Sequence, residues 1–245
     1  MNETYKEFDL HGHTRYSAYP EFLSYGPVEA IQRAREVGLD GIAITGHDTV
    51  EGLDEALNEA IRQGVILVPG VEITSRVGFR IPHILGLGIL PETVARSKYP
   101  IPSLQHPQTV VDWIHDHGGV AIVPHPSMTG NLTSLNYEQT RSLSELVEGI
   151  EVITPKGFKS RFKSLTEEFS LAAIGSSDFH LLRSIGLVGT KVFGNIENYQ
   201  DVIEAIQQKR IEAFFRTDIP PELSEIASLR GISLLLKEKI RTFFR

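Results

Sequence analysis

The sequence predicts an α/β fold in which β-α units close, or nearly close, into one barrel. Three observations predict it. Short apolar runs alternate with amphipathic stretches as far as Phe215, about seven such units are present, and 245 residues at 41% hydrophobic content suit one barrel domain. Repeated β-α units imply right-handed crossovers and a parallel sheet.

The elements follow in order. A strand is expected at 8–11 and an amphipathic helix at 27–37 that stops at Gly38. A strand at 40–45 precedes a helix over 53–62 that stops at Gly64. Two strands, 65–73 and 81–87, flank a turn containing Gly78 and read as a hairpin. Segment 90–105 holds Pro91, Pro100, Pro102 and Ser103 and reads as a surface excursion before a helix at 107–117. Further strands are expected at 120–123, 149–153, 171–174 and 186–193, with helices around 138–146, 160–169 and 199–208. Beyond Phe215 the character changes. Pro220 and Pro221 break the chain, and 222–245 carries leucine and isoleucine at helical spacing with five basic residues, so 1–216 reads as the barrel and 217–245 as a helical extension packed on it.

The chemistry lies in a series of strand-end motifs. Six of nine histidines occur in DLHGH (His11, His13), ITGHD (His47), HILGLG (His83), IVPHP (His125) and SSDFH (His180), with Glu72 in VPGVEI and Asp178 beside His180. Residues i and i+2 of a strand point to one face, so His11 with His13, and Asp178 with His180, can each reach one ion. Ends of barrel strands converge on one rim, which makes these eight residues candidate metal ligands of a polynuclear site. A lone histidine at a strand end is more often structural, and it is the co-occurrence of eight that carries the inference. Imidazole and carboxylate without any cysteine suit zinc, manganese or iron and disfavour iron-sulfur or copper(I) chemistry.

Other polar residues read differently. Asp9 is expected to orient an imidazole, Asp48 to cap a helix, His115 and His117 to cap a helix end, and His106 to lie in a loop. Cations near the rim are Arg15, Arg76, Arg80, Lys156, Lys159, Arg161 and Arg183, of which Arg15 and Arg183, beside the ligand motifs, are the expected substrate-binding residues. The net charge of -7 argues against an extended nucleic-acid surface. No run is long enough to span a bilayer, the N-terminus lacks a signal-peptide pattern, and the absence of cysteine removes any disulfide framework, so a cytoplasmic protein is expected.

In order, DLHGHT, ITGHDTVEGL, GVEIT with HILGLGI, VPHP and SSDFH resemble the motifs of the PHP (polymerase and histidinol phosphatase) family from about Asp9 to Thr190. The resemblance implies a distorted (β/α)7 TIM-like barrel that binds two or three divalent ions (manganese, zinc or iron) and hydrolyses phosphoesters. By matching position His11, His13, Glu72 and Asp178 would hold one ion, Glu72 would bridge to a second held by His83 and His125, and His47 and His180 would belong to a third. Two positions depart from the family pattern, Ala18 and Gly46, where relatives commonly carry aspartate, and both weaken that third site.

Paired ions suit this chemistry because they favour hydroxide near neutral pH and stabilise charge developing on phosphorus-bound oxygens. Glu72 and His180 are the expected catalytic residues, the first by fixing the ions and the second by handling a proton or orienting substrate. The expected substrate is a small phosphorylated metabolite, a nucleotide or a short oligonucleotide. Two alternatives are an amidohydrolase-like C–N hydrolase, disfavoured by Glu72 at the bridging position, and a non-catalytic metal-stabilised binding module.

Overall fold

The structure is a computed structural model that describes residues 4–17 and 24–216. The helical extension expected over 217–245 lies outside the described residues. The elements in chain order are β1 (Tyr5–Asp9), α1 (Pro27–Glu36), β2 (Gly41–Ile44), α2 (Leu53–Gln63), β3 (Ile66–Thr74), β4 (His83–Leu87), α3 (Pro91–Arg96), α4 (Pro107–Asp116), β5 (Val120–Val123), α5 (Tyr137–Leu143), β6 (Gly149–Thr154), β7 (Gly157–Phe158), α6 (Ser160–Glu168), β8 (Ala172–Gly175), β9 (Val188–Phe193), α7 (Tyr199–Gln207) and β10 (Ile211–Phe215).

The expected α/β barrel is present as a curled sheet with helices outside. Around the barrel the strands run β1, β2, β3, β4, β5, β6 and β8. The ring closes at the rim, where Gly12 just after β1 pairs in parallel with Phe179 just after β8. There His13 N–H donates to the Phe179 carbonyl at 2.9 Å. At the other end β9 and β10 add to the free edge of β1, and the Thr190 hydroxyl of β9 bridges to β8 by accepting from Gly175 N–H and donating to its carbonyl.

Local sequence explains the elements. Proline opens α1, the Glu29 carboxylate accepts from Gly26 N–H at 2.9 Å, and Ala30, Ile31 and Ala34 turn inward. In α2 the chain leaves the helix through Gly64 at φ +65°, a conformation that a side chain resists. Asn136 and Asn198 cap α5 and α7 through reciprocal hydrogen bonds with Gln139 and Asp201. The apolar faces so aligned pack between helices and sheet, with Val71, Ile84, Ile114, Val123 and Ile150 fully buried.

Three expectations need correction. The sheet is mixed and not parallel throughout: β4, antiparallel to β3 as the expected hairpin requires, is also antiparallel to β5, and β9 is antiparallel to β1. The reason at β9 is that the connection from β8 carries only a 3-10 turn, Leu182–Ser184, and no crossover helix returns the chain for parallel pairing. The 90–105 excursion contains α3, and the short strand β7 and the edge strand β10 lie outside the expected elements. Among the described residues no helix is long and apolar enough to cross a membrane.

Candidate metal centre

The strands that carry candidate ligands finish at one rim, except β4, which starts there with His83, so residues distant in sequence meet. The parallel bridge at Gly12 holds the segment after β1 extended, which turns His11 and His13 to one side, and both are fully buried. Glu72 near the end of β3 stands at the centre. Its Oε1 lies 3.0 Å from His83 Nδ1 and 3.0 Å from His125 Nε2. Its Oε2 lies 3.2 Å from His11 Nε2, 3.2 Å from His13 Nε2 and 3.1 Å from His47 Nδ1. Each carboxylate oxygen therefore faces its own set of imidazoles. Asp178 completes the ring, with Oδ1 at 3.2 Å from His13 Nε2, 3.7 Å from His11 Nε2 and 3.6 Å from His180 Nδ1.

All eight sequence-predicted ligands thus come together. Three sets of converging donor atoms can each hold an ion: His11 with His13 and Glu72, His47 with Glu72 and His83, and His13 with His47 and His180. Residues are shared among the sets, and His47, expected only beside His180, also faces Glu72 and His83. The third set is made of imidazoles alone.

A surrounding shell orients the rings. His11 Nδ1 lies 2.9 Å from Glu151 Oε1, His13 Nδ1 3.2 Å from Ser17 Oγ, His125 Nδ1 3.2 Å from Ser134 Oγ and His180 Nδ1 2.9 Å from the Asp178 carbonyl. Anchoring one nitrogen aims the other inward, as metal-ligating histidines require. Glu151 also accepts from His125 N–H at 2.6 Å and from the Ser176 hydroxyl, so one carboxylate ties three strands' ends together. Sequence reasoning missed Glu151. Its signal was a lone carboxylate in the middle of the apolar run GIEVIT, a pattern that buries a charge on one strand face.

The electrostatics fit a cation-binding site. Burial raises a carboxylate's pKa, yet the neighbouring His83, His11 and His47 hold Glu72 well below the usual range, and His11 and His180 do the same for Asp178. Burial alone would depress His11, but the carboxylates of Glu72, Glu151 and Asp178 hold its proton and raise it well above 6.5. Burial lowers His47 well below its ordinary value and pushes His180 down to about 4, helped in both by the nearby His13, so both rings are neutral at pH 7. Neutral imidazole is the form that ligates.

A direct geometric observation tests whether divalent ions suit these residues. His11 Nε2 and Glu72 Oε2 are buried and 3.2 Å apart, yet neither makes a hydrogen bond. Two inward polar atoms in contact but not bonded to each other are costly unless a third body satisfies both, and a divalent cation does so. His125 at φ +31° and Asp178 at φ +49° also hold left-handed backbone, strain of the kind that surrounding structure imposes at functional sites.

Other expectations resolve as follows. Asp9 does not touch an imidazole: its oxygens accept from Ser177 N–H at 2.9 Å, from the Ser177 hydroxyl at 2.6 Å and from Gly186 N–H at 2.9 Å, so it pins the segment that carries Asp178 and His180. Asp48 caps no helix, because Gly52 precedes α2 and the Asp48 carboxylate accepts from Thr74 N–H and hydroxyl at 2.8 and 2.7 Å. Arg15 turns toward Glu29, with Nη2 3.6 Å from Oε2, and Arg183 sits half-buried in the 3-10 turn. His115 pairs with Glu148 at 3.1 Å and His117 stacks on Trp113, both at the end of α4, while His106 caps the start of α4 instead of lying in a loop.

Comparison with known proteins bears on the fold. A family model described as PHP-associated matches residues 160–211, from α6 to the first residue of β10. The fold superposes, at TM-score 0.71 and 21% identity, on a two-domain protein from Bacteroides vulgatus containing a predicted PHP-like metal-dependent phosphoesterase, covering 87% of this chain and 66% of that one. The chain is similar to PHP proteins in this segment and in its fold. Two curated relatives that the chain matches are a 5'-3' exoribonuclease of Haemophilus influenzae, 40% identical over 82 residues, and a 3',5'-nucleoside bisphosphate phosphatase of Chromobacterium violaceum, 40% identical over 83 residues. Each match covers 34% of this chain and 28% of the relative, so the shared stretch is little more than a quarter of either relative's length.

Proposed function

We propose that this chain is a metal-dependent phosphoesterase of the PHP family acting on a small phosphorylated compound, with nucleotides and short oligonucleotides as its substrate class. The observation that carries the reading is the division of labour at Glu72, whose two oxygens face separate groups of imidazoles. A carboxylate so placed suits a bridge between neighbouring cations. His11, His13 and Asp178 with one Glu72 oxygen would hold one ion, and His83 and His125 with the other oxygen would hold a second. His47 and His180, with His13, are the residues for a third. Divalent ions bound there supply charge neutralisation on the phosphoryl oxygens and a water acidified toward neutral pH.

The chain's own residues define the rest. Glu151, Ser17 and Ser134 hold the rings in one orientation, so the donor set costs little reorganisation when it binds. His180 and His47, neutral at pH 7, suit coordination and are poorly placed to donate a proton. Arg15 and Arg183, at the rim beside the ligand motifs, remain the proposed phosphate-binding cations, and Arg15 would exchange its ion pair with Glu29 for substrate. The names of the exoribonuclease and the nucleoside bisphosphate phosphatase support the substrate class. Absence of cysteine supports a cytoplasmic setting, and the imidazole-carboxylate donor set supports manganese, zinc or iron as the resident metal.

The test is elemental analysis of the purified protein together with a panel of phosphorylated metabolites, mononucleotides and oligonucleotides. Two or more divalent ions per chain and turnover of at least one class are expected. A chain that takes up metal, gains thermal stability and turns over nothing is a binding module, and the enzymatic reading is then wrong.

A further inference from the structure

Three rim segments stand side by side because they follow neighbouring strands: the β3–β4 hairpin turn at 75–82, the loop after β5 at 124–136 and the β6–β7 turn running on to 161. They contain no aspartate or glutamate and five cations, Arg76, Arg80, Lys156, Lys159 and Arg161, in a chain whose net charge is -7. Acidic residues are therefore kept off one arc of the rim. The arc is physically continuous. Arg80 Nη1 donates to the Thr129 carbonyl at 3.4 Å, and Lys159 Nζ donates to the carbonyl of Pro126, the neighbour of His125, at 2.9 Å. It borders the metal centre at both His83 and His125.

An aromatic ring crowns this arc. Phe79 at the hairpin tip is 86% exposed, the most exposed large apolar side chain of the described residues, and Arg80 sits 5.9 Å from its ring centre. Burial does not account for an apolar ring held out at the tip of a turn, and the cation beside it is itself on the surface side of the arc. Cations flanking an exposed aromatic are what a single-stranded nucleic acid uses, phosphates on the cations and an unpaired base on the ring.

We propose that this arc is a track for single-stranded oligonucleotide, with Phe79 stacking a base and Arg76, Lys156 and Lys159 lying along the phosphates leading to the metal centre. The track rests on the phosphoesterase reading and narrows its substrate to a polymer with at least one base beyond the scissile phosphate. It also overturns, locally, the inference from net charge that the chain has no nucleic-acid surface, because net charge averages over a surface on which the signs are segregated.

The experiment is fluorescence anisotropy of the metal-loaded protein with a labelled single-stranded phosphorothioate oligothymidylate, against the same sequence as duplex and against thymidine monophosphate as competitor. The single strand is expected to bind about tenfold or more tighter than either, Phe79→Ala to weaken it about tenfold, and Arg76→Gln to reduce the slope of log affinity against log salt by about 0.7. Equal binding of mononucleotide or duplex, or an unaffected Phe79→Ala, overturns the track. Since Phe79 is on the surface, its variants are expected to unfold at the parent temperature, and Phe79→Trp, which keeps a stacking ring, is expected to restore binding. Turnover of a chromogenic phosphodiester by the unsubstituted protein is the separate check on the phosphoesterase reading: turnover without single-strand preference sinks only the track, and no turnover of any phosphoester sinks the reading beneath it.

Discussion

His83 and Glu151 show how the same centre depends on residues of two kinds. His83 Nδ1 meets Glu72 Oε1 at 3.0 Å and contributes to the convergent set with His47, whereas Glu151 touches no candidate ion position and acts through His11. Replacing His83 by alanine is expected to cut turnover by about 100-fold or more while the circular dichroism spectrum and cooperative unfolding remain those of the parent. Unchanged turnover would remove His83 from the centre. Replacing Glu151 by glutamine keeps shape but puts an N–H₂ where an acceptor stood, and metal affinity is expected to fall about 10- to 100-fold, read by competition with a chromogenic chelator. An unaltered affinity would make Glu151 a fold residue only. His83 was legible in the sequence because it sits in an ordered motif, while Glu151 was not, since a single buried acid in an apolar strand has no partner until the fold supplies His11 and His125.

Between elements, the junction of β1 and β8 decides whether the ligands converge. Gly12 lies between the two first histidines and pairs with Phe179, and a methyl group added at Gly12 would fall on the Phe179 ring. The backbone pair would have to separate, parting His11 and His13 from Asp178 and His180. Gly12→Ala is therefore expected to cost about 1–3 kcal/mol and to lower metal affinity as well, checked by denaturant unfolding and metal titration on one preparation. Loss of stability with metal binding untouched would count against this junction as the organiser of the site. The hydrophobic period revealed most elements to within one or two residues, α1, α2 and α4 among them. It missed β10, whose half-exposed residues pair with β9, and it could not reveal that β9 runs antiparallel to β1, because strand direction depends on how the connection returns, whereas the antiparallel β3–β4 pair was legible as a hairpin.

Across the whole molecule, folding and ion binding share one set of charges. In the metal-free chain His11 keeps its proton because Glu72 and Glu151 face it, so its pKa lies above 6.5 and its stabilising contribution, full below that value, is lost as pH rises through the raised pKa. Bound cations displace that proton. The gain in melting temperature on adding metal is thus expected to be larger at about pH 8 than at about pH 6, and chelation is expected to lower it again, both read by scanning calorimetry. A metal-induced gain that shrinks toward alkaline pH would contradict this coupling. By itself the sequence determined the alternation of elements, the eight ligand-type residues and the chemistry they suit, because period, strand-end position and donor type are local properties. Only the tertiary structure decided that Glu72 parts the imidazoles between its two oxygens, that Asp9 serves a backbone and Glu151 a ring, and that the basic loops form one arc. Those are facts about which distant segments lie side by side, and chain closure at Gly12 and Phe179 is what brings them there.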